Sequence, residues 1–190
     1  MRRWQSGQLQ LTVNQSPSGY VGSNPTRRTM NQKDIHEIAK KLFMNHRNMI
    51  HECTRDQAVT IEHVGASSIP GALTKGDLDI EVKTNRENFK RIKDSLQKKY
   101  IVKHPEIWTD NFAIFKSEDI LPVDILLVVA GTPYDTFTKT RDILQNTPIL
   151  LKEYNQLKQK YQNETYEIYS SVKKEFYRKI LKGRNIVGYN

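Results

Sequence analysis

Apolar residues at Ile35, Ile38, Ala39, Leu42 and Phe43 recur at the three-to-four spacing of a single helix face, and Asn31 just ahead of them suits an N-cap. An amphipathic helix running to about Cys53 is expected. Val59 to Val64 reads as a strand, and Gly65 to Gly76 as a loop of small residues interrupted by Pro70. Leu78 to Val82 alternates apolar and acidic positions, the period of a second strand. Asn85 then caps a helix whose Phe89, Ile92 and Leu96 share one face. Ile101–Val102 and Phe112–Lys116 are weaker strand signals, whereas Val123 to Val129 is a continuous apolar run that suits a strand buried on both faces. From Tyr134 onward the pattern is helical. Thr147-Pro148 marks a helix start that continues through Ile149, Leu150, Tyr154, Leu157 and Tyr161, and a last helix is expected from about Glu164 to Leu181. The order predicts an α+β fold, a mixed sheet flanked by helices with the C-terminal helices packed against it.

Composition bounds this picture. A chain of 190 residues fits one domain. One cysteine, Cys53, excludes a disulfide framework and a cysteine-built zinc site. No apolar run approaches the roughly 18 residues that span a bilayer, and no signal peptide is evident after Arg2 and Arg3, so a cytoplasmic protein is expected. The formal charge of +9 suggests a polyanionic partner. Residues 1–29, however, carry four arginines and no acid, and are rich in Gln, Ser, Gly, Asn and Pro. Two readings fit them. One is a native disordered tail. The other is a mis-assigned start, because Gly22-Ser23-Asn24-Pro25 is what the T-arm bases GGT TCG AAT CC of many tRNA genes encode, which makes Met30 the true first residue. Without those four arginines, 26 basic residues stand against 21 acidic ones, a net of +5. The folded unit is expected over 30–182, with 183–190 a short tail.

The chemistry concentrates in His63-Val64-Gly65-Ala66-Ser67-Ser68, then Asp77-Leu78-Asp79-Ile80-Glu81, then Val123-Asp124-Ile125. Alternation places Asp77 and Asp79 on one strand face, and two adjacent strands would bring Asp124 beside them. Three clustered carboxylates raise one another's pKa unless a cation neutralises them. Oxygen-only ligands of this kind suit Mg²⁺ or Mn²⁺, and such ions suit phosphoryl transfer. A glycine with small neighbours after a strand lets backbone N–H groups approach a phosphate, and Ser67 and Ser68 add hydroxyls. The plain alternative is a tight turn followed by a strand with surface acids.

The joint pattern resembles the nucleotidyltransferase superfamily related to DNA polymerase beta: Gly-x-Ser, then Asp-x-Asp, then a later third Asp. More closely, the chain resembles the GrpB family through Ile61-Glu62-His63-Val64-Gly65-Ala66-Ser67-Ser68-Ile69-Pro70-Gly71, Lys75, Asp79-Ile80, Arg141-Asp142-x-Leu144 with Pro148, Glu153-Tyr154 with Leu157-Lys158, and Lys173 with Phe176 and Ile180-Leu181. That family often has an aliphatic residue at the position of Asp77 and a His-x-His pattern near Asp124. This chain keeps both strand acids and Val123-Asp124-Ile125, nearer to the acid pattern of the wider superfamily. The resemblance implies a nucleotidyltransferase-like fold, with Asp77, Asp79 and Asp124 as catalytic and metal-binding residues. An NTP would lie on Gly65, Ala66, Ser67 and Ser68, its phosphates held by Lys75, Arg141 and Lys173.

The expected reaction moves an NMP from an NTP to a hydroxyl of an unidentified acceptor: an RNA, a protein or a small molecule. A catalytically inactive nucleotide- or RNA-binding module of the same fold is the alternative. Arg141 could instead pair with a carboxylate, and Glu62 with a basic helix residue. His63 is either a phosphate contact or a hydrogen-bonded strand histidine. Glu81 is a fourth acid near the metal or a structural ion-pair partner. Trp108, Tyr134 and Tyr154 could stack on a base or serve as packing.

Overall fold

The computed structural model describes residues 30–55 and 58–183. The expected tail 1–29 and residues 184–190 of the expected tail 183–190 lie outside the described residues, while Gly183 ends the last helix. Helix α1 (Gln32–Cys53) begins where expected, with the Asn31 side chain accepting from the Asp34 N–H at 3.0 Å. Strands β1 (Val59–Val64) and β2 (Leu78–Thr84) follow, then α2 (Arg86–Gln97). The side chain of Asn85 caps α2 by accepting from the Asn88 N–H. Next come β3 (Ile101–Lys103), β4 (Phe112–Glu118) and β5 (Pro122–Val129), then α3 (Phe137–Asn146), α4 (Pro148–Lys160) and α5 (Tyr166–Gly183). The helical stretch read from Tyr134 starts instead at Phe137, because residues 131–136 form turns and Tyr134 stacks on Phe112 with ring centroids 4.9 Å apart.

The sheet runs β1-β2-β5-β4-β3. Only β2 and β5 are parallel; the other pairs are antiparallel. Leu78, Ile80 and Val82 of β2 and Val123, Ile125 and Leu127 of β5 form one buried face, covered by Ile35, Ala39, Leu42 and Ile50 of α1 and by Phe89, Ile92 and Leu96 of α2. The other face carries Val64, Ile114, Leu126 and Val128, so β5 is buried on both sides as its unbroken apolar run requires. The acids Asp79, Glu81 and Asp124 point to that second face, where α3–α5 lie. Those helices close over the loop after β1 through Ala66, Ile69, Ala72, Ile143, Leu144, Tyr154 and Ile180. Among the described residues no helix is long and apolar enough to cross a membrane.

Candidate functional site

Parallel pairing sets Asp79 directly opposite Asp124, while antiparallel pairing sets it opposite Val64, the residue before the Gly65 turn. Asp79 is 5% exposed. Its carboxylate rests on Gly65, where a Cβ would meet Asp79 Oδ2 at 2.0 Å. Gly65 has φ 74° and ψ −172°, a backbone region that is essentially restricted to glycine. The glycine is therefore required twice, once by the turn and once by the acid lying against it. Asp79 Oδ1 is buried without a hydrogen-bond partner. Burial, then Asp77, then Asp124 push the Asp79 carboxyl well above the usual carboxylate range, while Lys173 and Lys103 act in the opposite direction.

Around these acids opens a cleft of about 290 Å³ whose lining includes Asp77, Asp79, Asp124, Lys75, Lys158 and Lys173. The Lys75 ammonium lies 4.1 Å from the centroid of the Tyr169 ring and that of Lys173 lies 5.5 Å from Tyr177. Burial, then the charge of Lys173, pull Lys75 below its ordinary value. The same two causes bring Lys158 down to about 7. Lys158 donates to the Leu73 carbonyl, tying α4 to the loop before Asp77. Such an arrangement concentrates positive charge next to a carboxylate cluster, which suits a polyphosphate accompanied by a cation.

Of the residues singled out in the sequence, Asp77, Asp79, Asp124, Lys75, Lys173 and Ala66 line this cleft. Other expected residues are placed elsewhere. Ala66–Ser68 form a turn of 3₁₀ helix in which Ser68 Oγ donates to the Gly65 carbonyl at 2.7 Å. Ser67 Oγ lies 3.2 Å from His63 Nε2. Both serines line a groove against α1 rather than the cleft, because the 3₁₀ turn swings them away from Asp79. Arg141 sits in a crevice beside the cleft, engaged with Glu62 at 2.8 Å, Asp142 at 2.9 Å and the His63 carbonyl at 2.9 Å. The alternative reading of Arg141 and Glu62 as an ion pair is the one the fold adopts. His63 is a strand histidine stacked on Phe43, its pKa lowered to about 4 by burial, then by Arg141 and His36.

Glu81 is fully buried, its Oε2 accepting from Thr138 and lying 3.5 Å from Lys83 Nζ while its Oε1 has no hydrogen-bond partner. Trp108 packs on Phe115, and Tyr154 is buried against Phe176.

Asp124 departs from the expected metal set. Lys103 Nζ donates to both of its carboxylate oxygens, at 2.7 and 2.6 Å. Among the described residues, no group of three or more His, Cys, Asp or Glu side chains is placed to hold a metal ion. The donors that fit a hard cation are Asp77 and Asp79, the latter with its orphaned buried oxygen; Asp124 does not fit while Lys103 covers it. Sequence reasoning missed Lys103, and it quoted Lys158 only within the Leu157-Lys158 motif, without a role at the site. Lys158 falls four positions after the buried Tyr154 and so shares its helix face. Nothing in the spacing singles out Lys103.

Residues 33–183 match the family described as GrpB protein. This chain belongs to the GrpB family. The GrpB assignment places it in the nucleotidyltransferase-like superfamily. A UPF0157 protein of Vibrio cholerae serotype O1 is 32% identical over 125 residues, covering 64% of this chain and 65% of that relative. The match thus spans just under two thirds of that relative's length. A crystal structure of conserved protein GrpB from Enterococcus faecalis superposes with a TM-score of 0.62 at 15% identity, over 77% of this chain and 94% of that one. That likeness establishes the GrpB fold.

Proposed function

We propose that this protein is a Mg²⁺- or Mn²⁺-dependent nucleotidyltransferase that moves an NMP from an NTP to an acceptor hydroxyl. The observation that carries the reading is the buried, unpartnered oxygen of Asp79 in a cleft also lined by Asp77, Lys75, Lys158 and Lys173. Asp77 and Asp79 would hold the divalent ion, which when bound supplies charge neutralisation at the phosphates. Lys75 and Lys173 would bind the polyphosphate as point charges. The acceptor hydroxyl gives up its proton to solvent as its oxygen forms a bond to the α-phosphorus, the bond from that phosphorus to the bridging oxygen breaks, and pyrophosphate leaves. The acceptor is an RNA, a protein or a small molecule, met in the cytoplasm.

The test incubates radiolabelled NTPs with Mg²⁺ and cell lysate, comparing the wild type with Asp77→Asn/Asp79→Asn. A labelled product absent in the double variant is expected, and a product that persists there refutes the assignment. A second reading, nucleotide binding without turnover, draws on the Lys103 contact that neutralises Asp124. Calorimetric binding of Mg²⁺-ATP with no labelled product from any lysate fraction would favour it.

A further inference from the structure

Lys103 has an unusually fixed position for a lysine on a short edge strand. Its backbone pairs with Ile114 of β4. The Trp108 indole N–H donates to the Lys103 carbonyl at 3.0 Å, and the Trp108 ring lies 5.1 Å from that of Phe115. The Lys103 side chain is 15% exposed and that of Asp124 is 8% exposed. The ammonium grips both oxygens of a carboxylate whose strand position is directly opposite Asp79.

Two-metal phosphoryl-transfer centres place their ions about 3.5–4 Å apart between shared carboxylates. Here one of the carboxylates already carries a cation supplied by the protein. A divalent ion bound to Asp124 would need the same oxygens, at about 2.0–2.1 Å for Mg²⁺, beside an ammonium that repels it. Mg²⁺ commonly binds through one or two carboxylates plus substrate phosphates, which Asp77 and Asp79 can provide.

We infer that Lys103 replaces a second metal ion, leaving a centre that takes one divalent cation on Asp77 and Asp79. Lys103 is then a positioning residue that holds Asp124 out of the metal shell. The inference rests on the nucleotidyl-transfer reading above. It also accounts for the acids pairing asymmetrically, Asp124 with a lysine and Asp79 with an orphaned oxygen.

The test counts bound Mn²⁺ by electron paramagnetic resonance on the full chain, with a saturating α,β-methylene ATP analogue. One ion per wild-type chain is expected. Lys103→Met should bind two, because it frees Asp124. Lys103→Arg should remain at one. Asp124→Asn should also keep its one ion, which supplies the answer if Lys103→Met fails to fold by circular dichroism. Two ions in the wild type, one in a folded Lys103→Met, or loss of the ion in Asp124→Asn overturns the inference while leaving nucleotidyl transfer standing. No ion in the wild type overturns the nucleotidyl-transfer reading, and this inference with it.

Discussion

Replacing Gly65 by alanine should damage the protein through two separable terms. At φ 74° and ψ −172°, a side chain costs about 1–3 kcal/mol in backbone strain. The new Cβ would also lie 2.0 Å from Asp79 Oδ2 and 2.8 Å from Asp79 Cγ. Asp79 is buried and must leave its position, and an off-rotamer side chain costs about 0.5–1.5 kcal/mol. Together the terms come to about 3 kcal/mol, a fall in Tm of roughly 6–12 °C for a domain of this size. Urea and thermal unfolding of Gly65→Ala measure the sum. Repeating the substitution in an Asp79→Ala background removes the clash and leaves only the backbone part, so the two changes should couple by about 1 kcal/mol. A loss below 0.5 kcal/mol, or an equal loss in both backgrounds, would refute the argument that this glycine is reserved for the carboxylate.

Two further outcomes follow from the same geometry. Burial and the neighbouring acids raise the Asp79 pKa, so the folded protein keeps that proton to higher pH than the unfolded chain does. Stability therefore falls as pH rises from about 4. Asp79→Asn should melt higher than wild type at pH 7, and the gap should close near pH 4; thermal melts across that range check it. Arg141→Ala strips donors from Glu62, Asp142 and the His63 carbonyl. It should cost about 1–3 kcal/mol in urea unfolding yet leave calorimetric affinity for an ATP analogue within about threefold, whereas Lys173→Ala should weaken that affinity by more than about tenfold.

Much of the architecture was legible because it follows from periodicity and capping. Asn31 and Asn85 cap the helices they precede, and the unbroken apolar run of β5 marked the strand buried on both faces. Alternation in β2 correctly separated Asp79 from Leu78 and Ile80. The direction of the serines was not legible, because a 3₁₀ turn after Gly65 decides it and short turns leave no periodic trace. Lys103 was invisible for a related reason. Its role depends on a side chain reaching from the edge strand across β4 to β5, and local spacing does not encode contacts two strands apart.

The pairing that joins Asp79 to Asp124 also sets when the site can exist. The two residues stand 45 positions apart and meet only in the parallel β2–β5 register. Chain closure over that distance must be completed before the pairing returns any stabilisation. Lys158 and Lys173 come later still in the chain, on α4 and α5. Until those segments dock, each charge remains hydrated, and the cost of removing it from water is deferred. The carboxylates of Asp79 and Asp124 therefore leave water only when β2, β5 and the C-terminal helices have come together.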